Sequence, residues 1–294
     1  MIIFLTIFQY LVQATVDLMD KFLLTARKVE PVSYTFYTVV TGAVLVVAWP
    51  WVFAPLPLEF VFLNLLSGAY FALAGYIFFK ALSQGEVSRT VPFIFGLVPV
   101  FDIFISALTG RNALIPTQLA AICLLIPGAL IVSHHKGDDW LKHAGVKVLS
   151  AFLFSSYYAL WQFSSQHGPV LNSLIWNRVG GAGILLLLLF YPTFRRKVFA
   201  TQQVKQKGST SVIFLFKQIV GGANFIFLSF LYSLGTISVI NALQGFRYVF
   251  LLLFSAFLSK KRRHLIEEDI GSGMLWQKGF GIALIFAGTI FLFI

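Results

Sequence analysis

Arg247 is the residue whose type and position point most directly to chemistry, because its guanidinium falls near the middle of an apolar stretch. Residues 236–258 are long enough to cross a bilayer as a helix. On that helix Asn241, Gln244 and Tyr248 share an arc of about 120° with Arg247. An unpaired charge at this depth costs at least ~3 kcal/mol. The polar arc should therefore face protein or water, and it predicts either a site for an anionic group or an ion pair with a carboxylate.

Two carboxylates in other apolar stretches could pair with this arginine or carry protons. Asp102 follows a proline whose kink exposes backbone carbonyls, and it is the partner that we predict for Arg247. Asp17 lies with Gln9 and Gln13 at helical spacing, so these side chains share one face of the first stretch. Either aspartate could couple the movement of a substrate to protons by alternating between a paired and a protonated form.

A second polar group opens the seventh apolar stretch. Arg178 lies about a third of the way into that stretch, after Trp176 and Asn177. It could attract an anionic group together with Arg247, or it could extend to the membrane surface. Trp176 would then offer apolar contact to a bound molecule, as Tyr248 would from the ninth stretch. Asp20, near the end of the first stretch, could simply reach the lipid headgroups.

Composition places these residues in a membrane protein. The chain of 294 residues is 58% hydrophobic and only 11% charged, whereas soluble proteins have about 25% charged residues. The net charge of +11 is spread over short connectors, which argues against nucleic acid as a partner. The lone Cys123 excludes a disulfide framework, and the adjacent His134 and His135 do not form a helix-face metal pair. We find no phosphate loop, zinc-protease or nucleophile-elbow motif, so we predict no enzyme, no cofactor and no metal site.

Hydropathy along the chain predicts an all-α membrane protein with ten transmembrane helices. The predicted spans cover residues 2–24, 31–53, 59–82, 87–108, 115–133, 144–165, 171–191, 212–234, 236–258 and 276–294.

An internal repeat divides these spans into two groups of five. The residues that match at the same offset are Ser83 with Ser233, Gly85 with Gly235, and Ser88 with Ser238. Because five is odd, two similar halves must cross the membrane in opposite directions. We therefore predict two inverted five-helix repeats, residues 1–136 and 137–294, around a central cavity.

Two glycine-containing motifs carry a family resemblance. The turn between the third and fourth spans of each half contains Gly85 or Gly235, and the last span of each half is centred on Gly128 or Gly288. On these residues the whole chain resembles the drug/metabolite transporter superfamily, specifically its ten-helix members with two EamA-type domains. The resemblance implies that spans one to four and six to nine surround the cavity, that spans five and ten brace the halves, and that small metabolites are moved without a cofactor. The turns after spans four and nine depart from the family's Gly-Glu-Arg pattern, so no substrate is implied.

The basic residues in the connectors predict the orientation. Only Arg111 falls on the side of the two termini, whereas the other basic residues outside the spans lie at the opposite ends. The positive-inside rule then places both termini on the extracytoplasmic side, and we assign the chain to the cytoplasmic membrane of a prokaryote. The basic run at residues 260–263 should anchor against anionic headgroups.

These observations favour a secondary transporter that moves a small metabolite by alternating access. An amino acid or a related zwitterionic or anionic compound is the leading substrate class, with export as the direction, protons as the coupling ion and a monomer or homodimer as the assembly. Two alternatives remain open. A flippase for a lipid-linked sugar or phospholipid headgroup would need a lateral opening to the bilayer. A scaffold or enzyme subunit would use its buried charges only as structural pairs.

Overall fold

The computed structural model describes residues 2–52, 54–108, 115–134, 140–165, 167–203, 208–234, 237–261, 268–269 and 271–293. Within these ranges the regular structure is helical throughout. Several residues used in the sequence analysis, among them Arg111, His135, Gly235 and Thr236, lie outside the described ranges.

Thirteen helices follow one another in the described residues. They are α1 (Ile2–Thr25), α2 (Pro31–Gly42), α3 (Trp49–Val52), α4 (Leu58–Gln84), α5 (Val87–Leu108), α6 (Pro116–Ser133), α7 (Trp140–Ser165), α8 (Val170–Leu188), α9 (Pro192–Gln203), α10 (Gly208–Leu234), α11 (Ile237–Ala242), α12 (Gly245–Lys261) and α13 (Ser272–Phe293).

The membrane assignment is confirmed, although one predicted span is less apolar than the rest. Nine helical segments in the described part of the chain are long and apolar enough to cross a membrane. The helix α7, which contains the predicted sixth span, is 26 residues long but is not among these nine. Its serine, tyrosine and glutamine residues lower its hydropathy, although apolar side chains such as Leu149 and Phe152 are exposed on it.

Two predicted spans are interrupted. The second span continues from α2 through a 3-10 helix, Ala43–Ala48, into α3. The ninth span, which we expected to be one helix, breaks between α11 and α12 at Leu243 and Gln244. Backbone bonds of the tighter i to i+3 type, from Gln244 N–H to Asn241 O and from Arg247 N–H to Gln244 O, both 3.0 Å, bridge the break. The predicted polar arc is therefore divided between two short helices.

Small residues allow the helices of the two predicted halves to approach each other closely. A Cβ added at Gly281 of α13 would lie 2.9 Å from the carbonyl oxygen of Gly128 in α6, so these two helices are in backbone contact. A Cβ at Gly181 of α8 would lie 3.0 Å from the carbonyl oxygen of Gly68 in α4. Close packing at small residues is a common cause of helix association in membranes, because the surrounding lipid is apolar and the hydrophobic effect contributes little there. The α6–α13 contact fits the bracing role that the resemblance implies for spans five and ten.

Candidate functional site

The most strongly bound charged pair inside the membrane joins Asp17 of α1 to Arg247 of α12. The Nε and Nη2 atoms of Arg247 donate to the two carboxylate oxygens of Asp17 at 2.7 and 2.9 Å. Both residues are buried, with 7% of Arg247 and 2% of Asp17 exposed. The guanidinium also lies 4.4 Å from the ring centroid of Phe95, a cation–π contact from α5. The two hydrogen bonds to Asp17 and the contact with the Phe95 ring compensate for much of the cost of burying the Arg247 charge.

Our predicted partner for Arg247 is wrong. Asp102 of α5 does not contact Arg247 and instead accepts a hydrogen bond from Ser155 Oγ of α7 at 2.5 Å. The physical reason is helix packing, because α1 packs directly on α12 whereas Asp102 faces α7. Asp102 therefore lies within a predicted span with a hydroxyl as its hydrogen-bond donor. No cation in the described residues forms an ion pair with it.

Amide side chains extend the Asp17–Arg247 pair toward α10. Gln13 Nε2 donates to Asp17 Oδ1 at 3.3 Å, and Asn224 Nδ2 donates to Gln13 Oε1 at 2.9 Å. The polar stripe of the first span, which we expected to line a cavity, makes contacts to neighbouring helices through Gln13 and Asp17. It links three helices, and two of them belong to the second predicted half.

A second buried pair, which the sequence analysis missed, lies one helical turn further along α1. Lys217 Nζ of α10 is 2.7 Å from Asp20 Oδ1, and the Tyr34 hydroxyl of α2 donates to the same carboxylate. The Lys217 ammonium also lies over the rings of Tyr34 and Phe79, at 5.3 and 5.9 Å from their centroids. Asp20 is only 5% exposed, so it does not reach the headgroups as we considered.

Arg178 differs from these two cations. Its guanidinium lies 4.8 Å from the ring centroid of Phe71 in α4 and 5.6 Å from that of Phe225 in α10. Its buried Nε has no hydrogen-bond partner, and no carboxylate in the described part of the chain forms an ion pair with it.

The helix α7 contacts a ring that packs on each arginine. Phe154 lies 5.2 Å from Phe95, the ring beside Arg247, and Tyr157 contacts Phe71, the ring beside Arg178. The ring centroid of Tyr157 is 4.8 Å from that of Tyr158 and 5.1 Å from that of Phe71. Aromatic surface therefore connects the surroundings of one guanidinium to those of the other.

The remaining predicted site residues are either fully buried or half-buried. Tyr248 is 1% exposed beside Arg247. Asn177 is equally buried, and its Nδ2 donates to Ser67 Oγ of α4 at 2.7 Å, so it holds two helices together. Trp176 is half-buried against Trp49, 5.0 Å between ring centroids. The half-buried residues at the α11–α12 break are Asn241 and Gln244.

A further charged cluster surrounds Glu86, which lies in the α4–α5 connector. Lys278 Nζ of α13 is 2.6 Å from Glu86 Oε2 and 2.9 Å from Glu268 Oε2, and Arg89 Nε is 2.6 Å from the same Glu86 oxygen. Burial alone would raise the pKa of Glu86, but Lys278, Arg89 and the Asp269 N–H together hold that pKa below its ordinary value. Glu268 also accepts from Ser88 Oγ at 2.5 Å. The cluster ties the segment before α13 to the start of α5.

One cavity of about 410 Å³ is lined by Leu130, Ile131, His134 and Gln277. It lies at the α6–α13 pair and contains none of the predicted site residues. No group of three potential metal ligands occurs within the described ranges.

Charged pairs buried among helices long enough to cross a membrane give the protein an internal polar site. Residues 1–134, somewhat under half of the chain, match the model of the EamA-like transporter family. The first predicted half is therefore similar to that family, in agreement with the resemblance to the drug/metabolite transporter superfamily. No curated protein matches the chain significantly. A solved crystal structure is similar over 99% of this chain and 94% of its own, with a TM-score of 0.57 and 16% identity. At that identity the similarity concerns the fold alone.

Proposed function

We propose that the protein is a secondary transporter that exports a small carboxylate-bearing metabolite, such as an amino acid, by alternating access. The observation that carries the proposal is Arg178, because it is a cation within a predicted span that no described carboxylate neutralises. Arg247 and Lys217, by contrast, already have aspartate partners. A substrate carboxylate would supply the missing charge, and a guanidinium can bind it through two parallel hydrogen bonds.

The surroundings of Arg178 favour an organic molecule over a small inorganic ion. Phe71 and Phe225 cover the guanidinium, and Trp176 lies half-buried two residues earlier on the same helix. These rings offer apolar contact to the body of a metabolite whose carboxylate is held by Arg178. Asn241 and Gln244, at the break between α11 and α12, offer amide groups that would orient it.

The two α1 pairs supply a mechanism for closing one side of the path. Asp17–Arg247 and Asp20–Lys217 hold α1 against α12 and α10, so the path opens there only when these pairs separate. A substrate carboxylate that replaces Asp17 on Arg247 would release Asp17, which can then take up a proton. Asp102, which the described residues give no ion pair, is the second candidate proton carrier. In this scheme the basic connectors face the cytoplasm of a prokaryotic cell, with both termini outside.

The first test is the melting temperature of the purified protein with amino acids, organic anions, organic cations and lipid headgroups. A ligand at 100 times its dissociation constant stabilises the native state by about 2.7 kcal/mol. We expect a carboxylate compound to raise the melting temperature of the parent and of Arg195→Ala, whose arginine is exposed outside the spans. Arg178→Ala should lose the shift, and Arg178→Lys should retain part of it.

Two results would contradict the proposal. A melting temperature that responds only to organic cations or lipid headgroups would contradict the anion site and favour a cation exporter or a flippase. A carboxylate shift of full size in Arg178→Ala would remove this arginine from the site. Counterflow of the identified compound in proteoliposomes then separates a transporter from a membrane scaffold, because a scaffold exchanges no substrate across the bilayer.

A further inference from the structure

The short helix α9, Pro192–Gln203, is an element that the transport path does not use. Its sequence is Pro-Thr-Phe-Arg-Arg-Lys-Val-Phe-Ala-Thr-Gln-Gln, with three basic residues and no acidic one. It follows α8 directly and precedes α10, so it lies where two membrane spans end. The hydropathy pattern did not predict it, because the whole segment reads as a charged connector.

One face of α9 is fixed to the helices that surround the site. Val198 is fully buried against a cluster that includes Phe36 of α2 and Leu185 of α8, and Phe194 packs beside it. The Ser33 hydroxyl, in the first turn of α2, bonds to the carbonyl oxygens of Lys197 and Val198, each at 2.9 Å. The helix is therefore docked on α2 in one orientation.

The opposite face carries exposed basic and aromatic residues. Arg195, Arg196 and Lys197 are all exposed, and Phe199, four residues after Arg195, is 40% exposed on the same side. Just before the helix, Phe190 and Tyr191 expose 83% and 67% of their surface. Aromatic rings at the membrane boundary beside arginine and lysine are the composition of a helix that lies in the headgroup layer.

We propose that the exposed face of α9 binds anionic phospholipid headgroups. Charge complementarity carries the proposal: the face has three exposed cations, and no carboxylate in the described part of the chain forms an ion pair with any of them, although Glu30 precedes the α2 turn on which α9 docks. Each guanidinium can bind a phosphate through two parallel hydrogen bonds, as it binds a carboxylate. The exposed aromatics place the helix at the depth where phosphates lie. This inference is independent of what the protein transports.

Lipid bound to α9 would act directly on α2. Because Ser33 and Val198 fix α9 to the first turns of α2, a headgroup that holds α9 at the surface also holds that end of α2. Tyr34, the next residue of α2, donates to Asp20 in the buried Asp20–Lys217 pair. An anionic leaflet would therefore favour the arrangement in which this pair is formed.

The test places a reporter on α9 itself. Cys123 is changed to alanine, and the exposed Thr193 is changed to cysteine and labelled with an environment-sensitive fluorophore. The labelled chain is reconstituted in phosphatidylcholine vesicles with or without phosphatidylglycerol that carries a quencher on its headgroup. Matched vesicles carry the same quencher on phosphatidylcholine.

We expect stronger quenching by labelled phosphatidylglycerol than by labelled phosphatidylcholine, and a loss of that preference at high salt. Arg195→Gln with Arg196→Gln should lower the preference roughly fivefold for each charge removed. Lys260→Gln with Lys261→Gln removes two exposed charges from another connector and should leave the preference at Thr193 unchanged.

Three outcomes would overturn the proposal. Equal quenching by the two lipids would show that α9 does not select anionic headgroups. An equal loss in the Lys260 and Lys261 variant would assign the preference to the general charge of that side. Protection of the label by a soluble acidic peptide in phosphatidylcholine vesicles, with no lipid preference, would assign the face to a protein partner.

Discussion

The two buried ion pairs between α1 and its neighbours take their acids from one predicted half and their bases from the other. Residues 1–136 supply Asp17 and Asp20 to the membrane interior, whereas residues 137–294 supply Arg178, Lys217 and Arg247. Both buried pairs in the described spans therefore join one half to the other. The cluster around Glu86 differs, because it contains ion pairs within each half as well as the Glu86–Lys278 pair between them.

This asymmetry has a structural and a functional consequence. Pairs within one half would stabilise that half alone, but pairs between halves hold α1 against α10 and α12 and so resist their separation. Of Arg178, Lys217 and Arg247, the last two pair with the α1 aspartates, and no carboxylate in the described residues pairs with Arg178. The difference between a paired and an unpaired cation is therefore the clearest division between structural and binding charges, and the predictions below test it.

The largest effect is expected where a permanent charge loses its partner. Asp17→Asn leaves Arg247 buried without a carboxylate, and a guanidinium cannot be deprotonated in a protein. We expect a loss of about 3–5 kcal/mol in the free energy of unfolding. The measurement is equilibrium unfolding in mixed micelles, with Lys260→Met, which removes an exposed charge, as the control.

The double variant Asp17→Leu with Arg247→Met sharpens this prediction. Because both charges are gone, most of the lost stability should return, while transport should not. A single variant as stable as the parent would contradict the idea that this pair holds the halves together. A double variant that transports normally would reduce the pair to a structural role.

A smaller loss is expected at the second pair. Lys217→Met leaves Asp20 without its ammonium, but Tyr34 still donates to the carboxylate, and a proton can neutralise it. We expect a loss of about 1–3 kcal/mol, measured in the same way. Phe79 and Tyr34 would contact the methionine in place of the ammonium, so packing is conserved. A loss as large as that of Asp17→Asn would contradict the distinction between a permanent and a removable charge.

The sequence predicted which residues are charged within the membrane but not how they pair. Composition and periodicity were enough for the helical membrane fold, and the glycine motifs for a family similarity that the match over residues 1–134 supports. The partner of Arg247 could not be predicted, because Asp17 lies 230 residues away and the pair depends on how α1 packs on α12. One overlooked signal was the absence of acids between Asp139 and Glu267, which requires Lys217 and Arg247 to find partners in the first half. The break before Gly245 also depends on packing, since a side chain there would overlap the ring of Phe286.

The connector cluster predicts a dependence of stability on pH. The pKa of Glu86 is lower in the folded protein than its ordinary value of 4.5, with burial opposing and Lys278, Arg89 and the Asp269 N–H producing the decrease. The stabilisation is therefore complete above that ordinary value and is lost as the pH falls through the lower folded value. Glu86→Gln should remove this part of the acid sensitivity and cost about 1–3 kcal/mol at neutral pH, since Glu268 still pairs with Lys278. Melting temperatures from pH 3 to pH 7, a range around the ordinary carboxyl pKa, provide the measurement. Parallel pH curves for parent and variant would contradict the assignment.

The smallest effect on stability is expected at the unpaired arginine. Arg178→Met removes a charge that no described carboxylate neutralises and keeps an apolar chain against Phe71 and Phe225. The free energy of unfolding should change by no more than about 1 kcal/mol, because the loss of two cation–π contacts opposes the gain from removing a charge without a carboxylate. The same variant should lose the response to carboxylate compounds, which separates binding from folding. A decrease of several kcal/mol in the free energy of unfolding would instead mean that Arg178 has an ion-pair partner in the folded protein. Arg178 would then not differ from Lys217 and Arg247.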